Sequence, residues 1–239
     1  MKSSDKCAGE TRLKDRKAEV MAQLIRRRIG ARKPRVLVVG CGTGMEAAIL
    51  AQELETQVVG VDLYADFDSI AASCVELRRG DATRLEYDDG SFDFVYSYHA
   101  LEHIPDYARA LQEMSRVLNG HGQYCIGTPN RSRLIGYLGS QGTPLRMKLA
   151  WNAADWKARL TGRFRNEFGA HAGFTTEELY RSLYEVFGET EDVTKEYYHQ
   201  LYPQYALALK LLIASGVSRF LFPSIYFFGR KKKIDSKSG

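Results

Sequence analysis

The residues best placed to do chemistry are three glycines and one acid near the front of the chain. Val36-Leu37-Val38-Val39 runs straight into Gly40-Cys41-Gly42-Thr43-Gly44, and Val58-Val59-Gly60-Val61 ends in Asp62. Glycines lack a Cβ, so backbone N–H groups and the start of the following helix, Met45 to Leu54, can approach a ligand closely. An acid at the end of the next strand can accept hydrogen bonds from a ribose. The pair implies a nucleoside-containing ligand. A dinucleotide fingerprint reads G-x-G-x-x-G, whereas Gly40, Gly42 and Gly44 give G-x-G-x-G, which disfavours a nicotinamide oxidoreductase.

Elements that could position these residues alternate along the chain. Strand signals fall at Arg35–Val39, Gln57–Val61, Val75–Arg79, Phe92–Ser97 and Gln123–Thr128. Helical signals lie between them, including a short helix near Asp66–Ala72 and one from about Pro105 to Leu118 with Asn119-Gly120 as its stop. Such alternation predicts a parallel sheet with helices on both faces. Leu13, Val20, Met21, Leu24, Ile25 and Ile29 recur at helical spacing among basic residues, predicting a basic amphipathic helix over about Arg12 to Ile29. After Pro129 the rhythm breaks, and residues 131–170 show no strand pattern. Thr175 and Glu178 form a capping-box signature. A strand near Thr190–Lys195, apolar helical residues from Tyr205 to about Phe222 and a closing edge strand at Ser224–Gly229 complete the chain.

Composition sets bounds. The chain has 239 residues, 44% hydrophobic and 26% charged, enough for one substantial core. Its net charge of +5 is unevenly spread. Residues 1–35 carry twelve basic against four acidic residues, 36–130 five against fifteen, and 131–170 eight against two. An acidic middle is thus flanked by basic segments. The four cysteines (Cys7, Cys41, Cys74, Cys125) have no paired spacing, so no zinc site and no disulfide framework is expected. Met1-Lys2-Ser3-Ser4-Asp5-Lys6 is not a secretory signal, and the apolar stretch from Ala206 to Phe228 is interrupted by Lys210, Arg219 and Pro223. The expected location is cytoplasmic, with surface association with a membrane left open.

The chain resembles the class I S-adenosylmethionine-dependent methyltransferases, in the group that includes ubiquinone-biosynthesis enzymes. The matching segments are Val36–Gly44, Val59–Leu63, Gly80-Asp81-Ala82, Ser91–Val95, Leu101–Asp106 and Glu113–Leu118, in order across about residues 35–130. The resemblance implies a Rossmann-like α/β fold: a seven-stranded, mainly parallel sheet with helices on both faces and a helical lid insertion. It implies S-adenosylmethionine as cofactor, with S-adenosylhomocysteine as product. Gly40, Cys41, Gly42, Thr43 and Gly44 would cradle the methionine part, and Asp62 would hold the ribose hydroxyls. Leu63 would flank the adenine, Asp81 would accept from its amino group beside the Ala82 amide, and backbone at Tyr98 and His99 would meet the sulfonium. The chain departs from the family at Val38, where an acidic residue is common, and at Asn119-Gly120-His121-Gly122, where Pro-Gly-Gly is usual.

Methyl transfer is an in-line displacement that depends on positioning, and a general base is needed only if the acceptor must lose a proton. The candidates are His99, just past the fourth strand; His103, whose other reading is a structural histidine fixing its loop; and His171, before Gly173-Phe174-Thr175. No Pro-Cys or Asn-Pro-Pro-Tyr follows the fourth strand, which argues against cytosine C5 or exocyclic base-amine methylation. No metal ligand set is expected. The division expected is an N-terminal basic amphipathic helix over 1–34 and a methyltransferase domain over 35–239, with an acceptor lid at about 131–175. In the lid, Arg131, Arg133, Arg146, Lys148, Lys157, Arg159, Arg163 and Arg165 interleave with Trp151, Trp156 and Phe164. Two readings stand: a surface for an anionic ligand, or a solvated helix face with the tryptophans in a local core. The function expected is methylation of an oxygen, less readily a nitrogen, of a small or lipid-linked anionic acceptor. An RNA methyltransferase and a non-catalytic S-adenosylmethionine-binding protein are the alternatives.

Overall fold

Four consecutive aliphatic residues, Val36–Val39 (β1), can be uninterrupted because the strand is buried on both faces. The computed structural model describes residues 13–30, 33–64, 66–137, 142–168 and 171–232. The other strands are Val58–Asp62 (β2), Glu76–Arg79 (β3), Phe92–Tyr98 (β4), Leu118–Pro129 (β5), Gly188–Asp192 (β6) and Ser224–Lys231 (β7). They form one sheet in the order β3-β2-β1-β4-β5-β7-β6. The first five in that order are parallel, and β7 runs antiparallel to both β5 and β6. The sheet is therefore mixed at one side. β7 is not the expected edge strand: it lies between β5 and β6, and β6 forms that edge.

The helices are Arg16–Ile29 (α1), Met45–Leu54 (α2), Ser69–Cys74 (α3), Tyr107–Val117 (α4), Leu145–Leu160 (α5), Thr176–Phe187 (α6), Thr194–Leu201 (α7), Ala206–Ala214 (α8) and Ser218–Leu221 (α9). Alternate residues of β1 face opposite cores. Val36 and Val38 join α1, α2 and α7, while Leu37 and Val39 join α4 and α6. Helix α1 is capped by the Asp15 side chain, which accepts from the Lys17 and Ala18 N–H groups. It buries Val20, Met21, Leu24 and Ile25 against α2 and α7. Each such burial stabilises the fold by about 1.5–3 kcal/mol, so α1 is part of the domain's core and not a detached arm. The expected capping box at Thr175 and Glu178 is formed at the start of α6.

Several expectations need correction. The strand expected near Thr190–Lys195 ends at Asp192, and α7 follows at once. The expected apolar helix from Tyr205 is broken into α8 and α9 at a turn through Gly216 (φ 73°). Only Leu209 of α8 is buried, while Leu207 and Leu211 face outward. Asn119-Gly120 lies inside β5, where an irregularity in the pairing with β4 absorbs it. Cys41 and Cys125 are free and buried, but Cys74 is disulfide-bonded, contrary to the expectation of no disulfide. No helix among the described residues is long and apolar enough to cross a membrane.

Candidate functional site

β1 passes to β2 on one side and β4 lies on its other side, so connections leave the carboxyl ends of β1 and β4 in opposite directions. That divergence leaves a crevice, the usual ligand position in open α/β sheets. The glycine turn sits at its edge. Gly40 has φ 73°, and a Cβ there would lie 2.2 Å from the Ala100 Cβ. Gly44 begins α2 at φ 89°, and a Cβ on it would meet Leu77 at 2.4 Å. At Gly42 the corresponding space is open. The Gly42 N–H donates to Asp62 Oδ2 (2.9 Å) and the Tyr64 N–H to Asp62 Oδ1 (3.1 Å). Each Asp62 oxygen is thus anchored once and has further accepting capacity. Burial, and after it Asp62, push the Cys41 thiol up to about 12, so it stays protonated.

Leu63 is 47% exposed beside Asp62, an apolar platform at the rim. Asp81 Oδ1 accepts from the Thr83 N–H and hydroxyl, both at 2.8 Å, which holds its pKa below the ordinary carboxylate value. Val38, where the family's acidic residue is missing, pairs in register with Tyr96 on the same sheet face. A carboxylate reaches that face from α2 instead: the Tyr96 hydroxyl donates to Glu46 Oε1 at 2.6 Å. Desolvation raises Glu46 to about 7 against the pull of that bond.

Beyond the end of β4 opens a cleft of ≈ 320 Å³, lined among others by Tyr98, His99, Arg133, His171, Tyr198 and Tyr202. Its walls are largely aromatic. Tyr98 stacks on Tyr226 (ring centroids 5.5 Å, 21°), Tyr197 packs against Tyr226 at 4.2 Å, and Tyr198 stacks on Phe222 at 4.1 Å. Lys17 of α1 also lines it. A larger surface cleft, ≈ 860 Å³, runs past Tyr107, Asn119 and Lys231 and contains none of the candidate site residues.

Two of the three candidate histidines, His99 and His171, line this cleft, and the third packs against His171. His99 holds a left-handed backbone (φ 53°), and its Nε2 lies 3.0 Å from the Ser224 hydroxyl. Desolvation, and then nearby cations led by Arg133, lower its pKa to about 3, so the ring is neutral. A ring held this far below neutrality is a weak base, so the environment disfavours His99 as a proton acceptor. His103 packs edge-on against His171 at 4.8 Å, and desolvation followed by His171 lowers its pKa. Between His99 and His103 lies Glu102, its side chain wholly buried and neither oxygen hydrogen-bonded among the described residues. Desolvation raises its pKa to about 7.

The lid resolves part of the ambiguity in its sequence. Arg133 is buried and donates to the carbonyls of Asn130, Ala172 and His171. Arg131 donates to the Gly173 carbonyl and pairs with Glu178, and Arg159 donates to the Arg133 carbonyl while lying over Phe164 at 3.8 Å. These three arginines brace the lid. The tryptophans are not in a local core: Trp151 and Trp156 are 37% and 49% exposed, and the Trp156 indole donates to the Leu134 carbonyl.

Sequence reasoning did not single out Glu102, Lys17 or the tyrosines of α7 and β7. A signal was available for the last: Tyr197, Tyr198, Tyr202 and Tyr205 crowd nine residues. Glu102 was visible only as part of a motif, because its lack of a partner is a property of the folded chain.

The reversal in strand order, with a glycine turn and an acid beside it, is the place where doubly wound α/β folds hold nucleoside ligands. Residues 37–126 match the methyltransferase domain family, and the relatives that this stretch resembles are named as S-adenosylmethionine-dependent methyltransferases. It is 33% identical over 133 residues to a probable S-adenosylmethionine-dependent methyltransferase of Mycolicibacterium smegmatis, covering 54% of this chain and 49% of that one. It is 36% identical over 104 residues to the demethylmenaquinone methyltransferase of Listeria welshimeri, covering 39% and 44%. The matched stretch spans about half of these relatives' length or less. Among solved structures, a possible histamine N-methyltransferase of Thermotoga maritima shares the fold, with TM-score 0.54, 20% identity and 91% of each chain covered.

Proposed function

We propose that this chain transfers a methyl group from S-adenosylmethionine to an oxygen of a small or lipid-linked aromatic acceptor that carries negative charge. The observation that carries this reading is the tyrosine-walled cleft, lined also by Lys17, at the end of β4, adjoining the glycine turn. The open space over Gly42, the spare accepting capacity of Asp62 and the exposed Leu63 fit a methionine chain, a ribose and an adenine respectively. Bound there, the cofactor would supply an electrophilic methyl group. The residues of this chain would do the rest. Gly40–Gly44 would hold the methionine end, Asp62 the ribose, and Asp81 with the Ala82 amide the adenine edge. The tyrosine rings would orient a planar acceptor and exclude water, and positioning of that acceptor against the methyl group would supply most of the rate.

Outward-facing Leu207 and Leu211 on α8, together with Leu145, Leu149 and Leu160 on α5, support the lipid-linked form of the acceptor. The relative named as a demethylmenaquinone methyltransferase points the same way. Inward use of Arg131, Arg133 and Arg159 leaves less of the lid's charge for RNA. The test is incubation of the purified protein with methyl-labelled S-adenosylmethionine and host extract, fractionated into lipid, RNA, protein and small molecules. Label is expected in an organic-extractable aromatic species. Label confined to RNA or protein, or in no fraction, would refute the reading.

A further inference from the structure

A carboxylate buried in protein normally finds hydrogen-bond donors or a cation, because its charge is otherwise taken from water without compensation. Glu102 has no hydrogen-bond donor on either oxygen among the described residues: its side chain is 0% exposed, and the cation it feels, Arg133, makes no bond to it. What surrounds it is imidazole. His99 Nδ1 lies 3.8 Å and His103 Nε2 3.9 Å from the same oxygen, Oε1. These separations are too long for hydrogen bonds. They suit two ligands of one cation, since atoms each about 2.1 Å from a shared ion stand roughly 3–4 Å apart. One ligand atom each from Glu102, His103 and His171 lie within 4.8 Å of one another, so a small movement of the exposed rings would close the set.

The supports around the cluster are of the kind that orient metal ligands. The His99 ring is held through Nε2 by the Ser224 hydroxyl, which turns Nδ1 toward Glu102. The backbone at His171 is gripped by Arg133, whose guanidinium donates to the His171 carbonyl at 2.9 Å. Two residues on, Asn166 bonds both the N–H and the carbonyl of Gly173. Three sequence-distant pieces, the turn after β4, the start of the return into α6 and the lid, are thereby fixed around one carboxylate.

We propose that Glu102, His103 and His171, with His99 Nδ1 as a fourth donor, form a binding site for a divalent first-row transition metal. Imidazole nitrogens with a single carboxylate suit zinc, manganese, iron or cobalt; magnesium prefers an all-oxygen set. His99 and His171 also line the acceptor cleft, so an open coordination position would face whatever oxygen-bearing molecule the cleft takes. That last point rests on the proposed function; the metal site itself does not. It also gives the histidines a shared task that neither their spacing nor their separate reading as bases suggested.

The test uses the full chain, stripped with chelator and titrated with cobalt(II), followed by visible absorption, and with zinc(II) by calorimetry. One ion per chain is expected. Glu102→Gln and His171→Ala should each weaken binding by about 100-fold or more. His121→Ala, an exposed histidine outside the cluster, should leave it unchanged. His171→Ala alters an exposed side chain, so its result stands even if Glu102→Gln disturbs folding. Absence of binding, a preference for magnesium, or full binding in the folded variants would overturn the site. S-adenosylhomocysteine binding and methyl transfer are measured separately. A bound metal without transfer counts against the proposed function alone, whereas transfer without metal binding counts against this site alone.

Discussion

Replacing Asp62 tests the cofactor half of the argument with a magnitude that follows from its bonds. A carboxylate has about four accepting positions. Two are occupied by the Gly42 and Tyr64 N–H groups, one on each oxygen. The remaining two match the two hydroxyls of a ribose. Hydrogen bonds to a charged group contribute roughly 1.5–3 kcal/mol each, and partial exposure of Asp62 places the pair at the low end, about 3 kcal/mol. Asp62→Ala should therefore weaken S-adenosylhomocysteine binding by about 100- to 200-fold. Asp62→Asn keeps one acceptor oxygen and should lose roughly tenfold. The assay is calorimetric titration of each variant, with thermal unfolding to verify that the turn still folds. If folded Asp62→Ala bound within about threefold of the parent protein, at far less than 1.4 kcal/mol, the ribose assignment would fail. The reasoning from the glycine turn to its partner acid would fail with it.

Other residues yield further predictions. Gly40→Val combines a backbone at φ 73° with a Cβ placed 2.2 Å from Ala100, so it should destabilise the domain by about 3 kcal/mol or more; an unchanged denaturation midpoint would show that the turn yields. Tyr96→Phe removes the donor to Glu46 in a buried setting and should cost about 1–3 kcal/mol, read by urea denaturation. Glu113 is buried and bonded to Arg116 and the Leu85 N–H, and the Arg116 bonds outweigh desolvation to lower its pKa. With a depressed folded value, its contribution is complete above the unfolded value of about 4.3 and is lost as pH falls through the lower folded one. Glu113→Gln should then lower stability at neutral pH and flatten the acid limb of the stability profile. An unchanged acid limb would remove Glu113 from the account.

The parallel half of the fold was legible because its central strands are largely buried on both faces, so β1 and β2 read as short aliphatic runs ending at turns and β4 as an aromatic-rich one. The cofactor turn was legible for a related reason, since only glycine fits where Ala100 crowds Gly40. The last third was less so. β6, Gly188–Asp192, is an edge strand of largely exposed polar residues, and its hydropathy resembles a loop. Helix α7 was hidden because its buried face is tyrosine, threonine and one leucine, not an aliphatic stripe. That unusual face is also what makes it functional in this reading, because Tyr197 and Tyr198 are wall as well as core.

The two halves of the site are joined by one contact. The His99 backbone lies in the left-handed region, an arrangement that costs a residue with a side chain about 1–2 kcal/mol. Its N–H is held by the Gly127 carbonyl of β5 at 3.0 Å and its ring by Ser224 of β7. The next residue, Ala100, fills the space that a Cβ on Gly40 would need. The turn leaving β4 is thus wedged between the glycine turn and the tyrosine cleft, with little freedom to move without one of them. A cofactor seated on the first would be registered against an acceptor in the second by backbone packing, before any side chain acts. This accounts for a strained residue at that position: relaxing His99 would shift Ala100 off Gly40 and Glu102 away from its histidines together.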